Sequence, residues 1–295
     1  MKTSKLTIKD SSIAFVFGFL LCQTVVVAVT IVLMLLLKIF NSSLDSAVFL
    51  ETGLGYLILS STLYLTMFIL FFFLNKGKDN KITEKISIKK LLLYIAIALL
   101  TFICLYPVVT CVDTLLVKCG IGLSTLSYPL TTKNYFISLI SLVIAPAVCE
   151  ELLFRGIILN GLKKHGKTFS ILTTALMFCL FHMSINQTVY PLLMGLLLSV
   201  IMYYEGNIYY CIAIHLTNNF LSLTLSYFKI NLIFNHFTYI ILAIALAALF
   251  IGLVLYFTIR NSKNYPHEKL NKTEKIFLFS SLGFMITLWL LINII

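Results

Sequence analysis

Charge is what this chain has least of. Asp, Glu, Lys and Arg make up 11% of its 295 residues, and the 11 acidic residues are outnumbered two to one by 22 basic ones. With 60% hydrophobic residues and a mean hydropathy of +1.02, this composition excludes an ordinary soluble globular domain and marks an integral membrane protein. CxxC spacing is absent: Cys22, Cys104, Cys111, Cys119, Cys149, Cys179 and Cys211 fall almost all within apolar stretches. That excludes a disulfide framework and a cysteine zinc cluster. HExxH is absent too, and no internal repeat, low-complexity tract or soluble domain interrupts the apolar pattern. No basic stretch is interleaved with exposed aromatics, so the net charge of +11 does not point to nucleic acid.

What is present is a series of nine apolar segments: Ile13–Leu37, Leu54–Leu74, Leu91–Val112, Tyr135–Leu159, Phe169–Ile185, Tyr190–Tyr203, Ile208–Tyr227, Phe237–Thr258 and Ile276–Ile295. Most approach the ~20 residues needed to cross a hydrocarbon core; the fifth and sixth are short. The expected fold is an all-α polytopic transmembrane bundle of about nine helices, with its chemistry on the central ones. It divides into N-terminal helices (1–134), a core (135–227) and C-terminal helices (228–295) within one continuous membrane domain. The first apolar run is too long for a cleaved signal peptide and lacks a convincing small-residue cleavage site. Of the 22 basic residues, 17 fall in the N-terminal stretch, 75–90, 163–167 and 260–275. These alternate loops are expected on the cytoplasmic face, with the N-terminus cytoplasmic and the lysines attracted to lipid headgroups.

The fourth segment breaks the apolar rule at Glu150, Glu151 and Arg155. Unpaired, three such charges at a helix centre would cost roughly 8–10 kcal/mol, so partners or a watery cavity must compensate. Glu151 and Arg155 are four apart and can pair on one helix face, leaving Glu150 for another task. Pro146, four residues before Glu150, removes a backbone donor just ahead of the charges. Cys149 adjoins the pair, but nothing nearby is placed to make it a thiolate. Two further segments carry histidines: Phe178 to His182 in the fifth, and His215 with Asn219 four residues on in the seventh. Counted from the cytoplasmic ends, Glu150, His215 and His182 lie about 15, 11 and 20 Å deep, close enough for convergence.

At these residues the sequence resembles the CPBP family, the CAAX proteases and bacteriocin-processing enzymes also called Abi proteins. EExxxR (Glu150, Glu151, Arg155), FxxxH (Phe178, His182) and HxxxN (His215, Asn219) occur in the family's order on separate apolar helices. The resemblance spans about residues 135–227. One departure precedes the third motif: the chain reads Tyr203-Tyr204-Glu205-Gly206-Asn207-Ile208 where members commonly carry a Gly-Ser-Ile type of turn.

The expected chemistry is peptide hydrolysis. Glu150 with His182 would draw a proton from water, His215 and Asn219 would donate to the oxyanion, and Glu151 with Arg155 would form the electrostatic frame. Phe178 would pack the motif. This mechanism requires no cofactor. A zinc ion held by Glu150, His182 and His215 is the neighbouring alternative. The partners are the lipid bilayer and a peptide or membrane-associated protein substrate. Short loops and abundant lysine and asparagine suggest a bacterial cell membrane, and with it bacteriocin or peptide maturation or self-immunity. Two rivals are a non-catalytic scaffold regulating a sensor kinase or wall enzyme, and a proton-coupled transporter. The intact motif set counts against the first, and the lack of inverted repeats against the second.

Overall fold

The computed structural model describes residues 4–40, 49, 52–121, 132–230, 236–259 and 267–294. Among the described residues the regular structure is helical: α1 (Ile8–Phe40), α2 (Gly53–Asn75), α3 (Ile88–Lys118), a composite α4 (132–162), α5 (Lys167–Phe181), α6 (Val189–Glu205), α7 (Ile208–Tyr227), α8 (His236–Ile259) and α9 (Lys272–Ile294). Each expected apolar segment becomes one helix, and the protein is an all-α polytopic bundle. Five helices (α1, α2, α3, α4 and α9) are long and apolar enough to cross a membrane, while α5, α6 and 237–246 of α8 are apolar but shorter. These are the helices of a multi-pass membrane protein.

The basic loops meet at one end of the bundle. The Ser4 amide donates to the Gly77 carbonyl (3.2 Å) and the Asp79 amide to the Ser4 carbonyl (2.9 Å), while the Glu268 amide donates to the Lys164 carbonyl (2.8 Å). Lys78 pairs with Asp10 at 3.1 Å, and Lys164 with Glu274 at 2.8 Å. The hydrogen bond to Glu274 holds the Lys164 ammonium above the usual lysine range. Lys2, Arg260 and Lys263 lie outside the described residues.

The unusual Tyr203-to-Ile208 stretch belongs to this same end. Glu205, the last residue of α6, pairs with Lys90 and accepts from the Tyr94 hydroxyl. Gly206 then adopts a left-handed φ of 64°, and Asn207 caps α7 through the Tyr209 amide. The turn is a tight helix–helix corner at the basic end.

α4 is not a uniform α-helix. Leu139–Ile144 and Leu152–Leu159 are wound as π-helix, flanking an α-helical Ala145–Glu151. Such widened turns are uncommon and concentrate at functional sites. Here Pro146, without an N–H, offers the Leu142 carbonyl no donor four residues on, and the Asn219 side-chain amide of α7 donates to that carbonyl at 3.2 Å.

α5 ends earlier than the apolar pattern implies. The helix stops at Phe181, His182 is its cap, and Met183 takes a positive φ of 49°. The apolar residues through Ile185 therefore form a turn, which the periodicity of hydrophobic residues cannot distinguish from helix.

Two buried clusters flank α4, one built with α1, α2 and α5, the other with α3, α6 and α7. In the first, Phe154 stands edge-on to Phe178 and Phe181, with centroids 5.0 and 5.3 Å apart. At Gly195 of α6, an added Cβ would lie 3.1 Å from the Ala175 Cα, so this glycine lets α5 and α6 approach closely and leaves its carbonyl open to a side chain from α4.

Candidate active site

The charged residues of α4 divide into a buried pair and a carboxylate facing a cavity. Glu151 and Arg155 are both fully buried. Arg155 Nη1 donates to Glu151 Oε1 at 2.8 Å, and Arg155 Nη2 donates to the Gly195 carbonyl at 3.3 Å. The guanidinium also lies 4.5 Å from the Phe178 ring centroid, a cation–π contact strengthened by desolvation. Phe178, expected as motif packing, is thus the aromatic floor beneath Arg155.

Glu151 Oε1 serves two partners. It also accepts from His215 Nδ1 at 2.8 Å, so the frame extends from α4 to α7 and fixes the imidazole with Nε2 as its remaining nitrogen. His182 is oriented similarly by a backbone group: its Nδ1–H donates to the Phe178 carbonyl at 2.8 Å. A carbonyl can only accept, so that nitrogen carries the proton and a neutral His182 holds its lone pair on Nε2.

Glu150 faces the other way. Its Oε2 is buried without a hydrogen-bond partner and lies 3.9 Å from His215 Nε2. A cavity of about 430 Å³ brings together Glu150, Phe178, His182, His215 and Asn219. Glu151 and Arg155 sit behind its wall. Asn219 has one amide hydrogen committed to the Leu142 carbonyl, so it both lines the cavity and clamps α7 to the broken part of α4.

Several residues of the site carry no motif. Tyr56 and Tyr64 of α2, Gln187, and Tyr190 of α6 also line the cavity, and the Tyr190 hydroxyl donates to Asn218 Oδ1 at 3.2 Å. Asn293 of α9 holds the turn after His182: its Oδ1 accepts from the Ile185 amide at 2.6 Å and its Nδ2 donates to the Met183 carbonyl at 3.3 Å. Asn293→Ala is expected to loosen the turn after His182, speeding backbone hydrogen exchange over 182–188 about tenfold or more. Exchange measured beside Asn293→Asp checks it: the Asp variant keeps the acceptor for Ile185 and should retain the larger share of protection.

Among the described residues no three His, Cys, Asp or Glu side chains gather as a metal-holding group. Glu150, His182 and His215 line one cavity, and with Glu151 on His215 Nδ1 and the Phe178 carbonyl on His182 Nδ1 both imidazoles keep Nε2 as the open nitrogen.

Residues 132–221 match a family model described as Type II CAAX prenyl endopeptidase Rce1-like. No curated protein and no solved structure matches the chain. The matched residues, less than a third of the chain, carry all three motifs and most of the cavity lining, a similarity consistent with the CPBP group of intramembrane proteases.

Proposed function

We propose that the protein is an intramembrane endopeptidase in which Glu150 is the general base. The observation that carries this is the unpartnered Glu150 Oε2, buried in a cavity that also receives two oriented imidazoles. A water held beside Glu150 loses a proton to the carboxylate as its oxygen attacks the peptide carbonyl. His182 Nε2 accepts a hydrogen bond from that water and aims it. The tetrahedral oxyanion is met by His215, protonated against Glu151 and donating through Nε2–H, with the second Asn219 amide hydrogen as a further donor. Glu150 then returns the proton to the departing amine, which balances the hydrolysis.

Glu151 and Arg155 hold His215 in place and take no proton. This chemistry is complete without a metal. The substrate is a peptide or a membrane-associated protein segment, and the setting is peptide or bacteriocin maturation or self-immunity at a bacterial cell membrane with the N-terminus in the cytoplasm. Purified wild type and Glu150→Gln, incubated with hydrophobic and leader-type peptides and read by mass spectrometry with and without chelator, test the proposal. Cleavage by wild type alone, unaffected by chelator, is the expected result. Equal cleavage by both proteins would remove Glu150 as the base.

A further inference from the structure

The catalytic cavity is not closed on its far side. A second cavity of about 910 Å³ shares His182, Gln187, Tyr190, Asn219 and Ser226 with it, so the two form one cleft. Its new wall is a single face of α3, Phe102, Tyr106, Val109, Thr110 and Asp113, spaced as residues stacked along one side of a helix. The opposite wall is α7 and the residues after it, from Asn219 through Ser222 and Ser226 to Lys229. The helical part of that wall, Asn219 to Tyr227, rises about 12 Å, the span of three to four residues of extended peptide. Hydroxyls and amides from Thr110, Asn186, Gln187, Ser222 and Ser226 make this wall suited to a peptide backbone in a membrane.

Asp113 is the one acidic residue of that wall. One of its carboxylate oxygens is buried and has no hydrogen-bond partner. The other charged group facing the cavity, Lys229, is exposed, and no ion pair joins it to Asp113 among the described residues. An unpaired acid in a cleft that runs to Glu150 is placed to receive a cation.

We infer that the second cavity is the substrate groove and that Asp113 is its specificity residue, receiving a lysine or arginine side chain of the peptide a few residues from the scissile bond. This rests on the protease reading of the site. Charge-assisted hydrogen bonding in a partly buried site makes the preference roughly tenfold or more.

The test uses fluorescent decapeptides that differ at one position, carrying Lys, Gln or Glu, scanned along the sequence. Binding is measured by anisotropy to detergent-solubilised Glu150→Gln protein, and hydrolysis with Glu150 intact. The Lys peptide should bind about tenfold more tightly than the Gln peptide at one position. Asp113→Asn should bring that ratio to one, and Asp113→Lys should turn the preference to Glu. Ratios that Asp113 substitutions leave unaltered, or no binding by any peptide, overturn the subsite. Asp113-dependent binding without cleavage by the wild-type site would uphold the subsite and overturn the protease, so the two failures are distinct.

Discussion

Glu150→Gln lowers peptide hydrolysis by about 10²–10⁴-fold, the usual contribution of a positioned general base, while leaving insertion and folding intact. The substitution is isosteric, and the oxygen it alters has no hydrogen-bond partner to lose. It also relieves repulsion with the fully buried Glu151 while giving up the 3.9 Å approach to His215. The melting temperature in detergent should therefore stay nearly level as activity falls. His182→Ala, in contrast, removes an imidazole whose Nδ1 holds the last turn of α5, and should reduce both quantities. The decisive measurement is a single-turnover rate beside a melting curve on the same preparation. Activity that falls only in parallel with folded protein would assign Glu150 a structural role instead.

Glu151→Ala is expected to be the most destabilising change in the bundle, at about 3–5 kcal/mol, because it strands Arg155 as an uncompensated buried charge. Arg155 would keep the Gly195 carbonyl and the Phe178 ring, but neither neutralises it. Arg155→Met leaves Glu151 with His215 as its remaining cationic partner and should cost less. The double variant Glu151→Leu with Arg155→Met removes both charges together and should recover most of the loss, although His215 then lacks its acceptor and hydrolysis stays low. Unfolding of the four proteins in one detergent gives the coupling energy. Additive losses in the double variant would show that the pair does not act as a unit.

Much of the architecture was legible because the bilayer imposes a simple pattern, and apolar runs between lysine-rich loops located each helix. The three motifs were legible for the same reason, since a charge or imidazole stands out against hydrocarbon-compatible neighbours. Hydropathy could not show the winding within a helix. The π turn at Leu139–Ile144 lies beside Pro146 and receives Asn219 from α7, which is a tertiary fact. Nor did it reveal the end of α5 at Phe181, because Met183 and Ile185 are as apolar in a turn as in a helix. Spacing paired Glu151 with Arg155, but one-helix reasoning had no access to His215 as the second partner of the same oxygen. Tyr56, Tyr64 and Tyr190 were invisible as cavity residues, since tyrosine is an ordinary membrane side chain. Asp113 sat just beyond the apolar segment assigned to its helix and looked like a loop residue.

The clasp by Asn293 sets a time as well as a position. Ile185 and Asn293 are 108 residues apart, and at ~5–20 residues per second a ribosome needs roughly 5–20 s to travel that distance. Once Asn219 has been added every motif residue has been synthesised, yet the turn after His182 stays unheld until Asn293 follows. A nascent chain already in the bilayer thus lacks a fully ordered site until α9 docks. Docking of α9, the last described helix, is therefore the step that ties down the turn after His182.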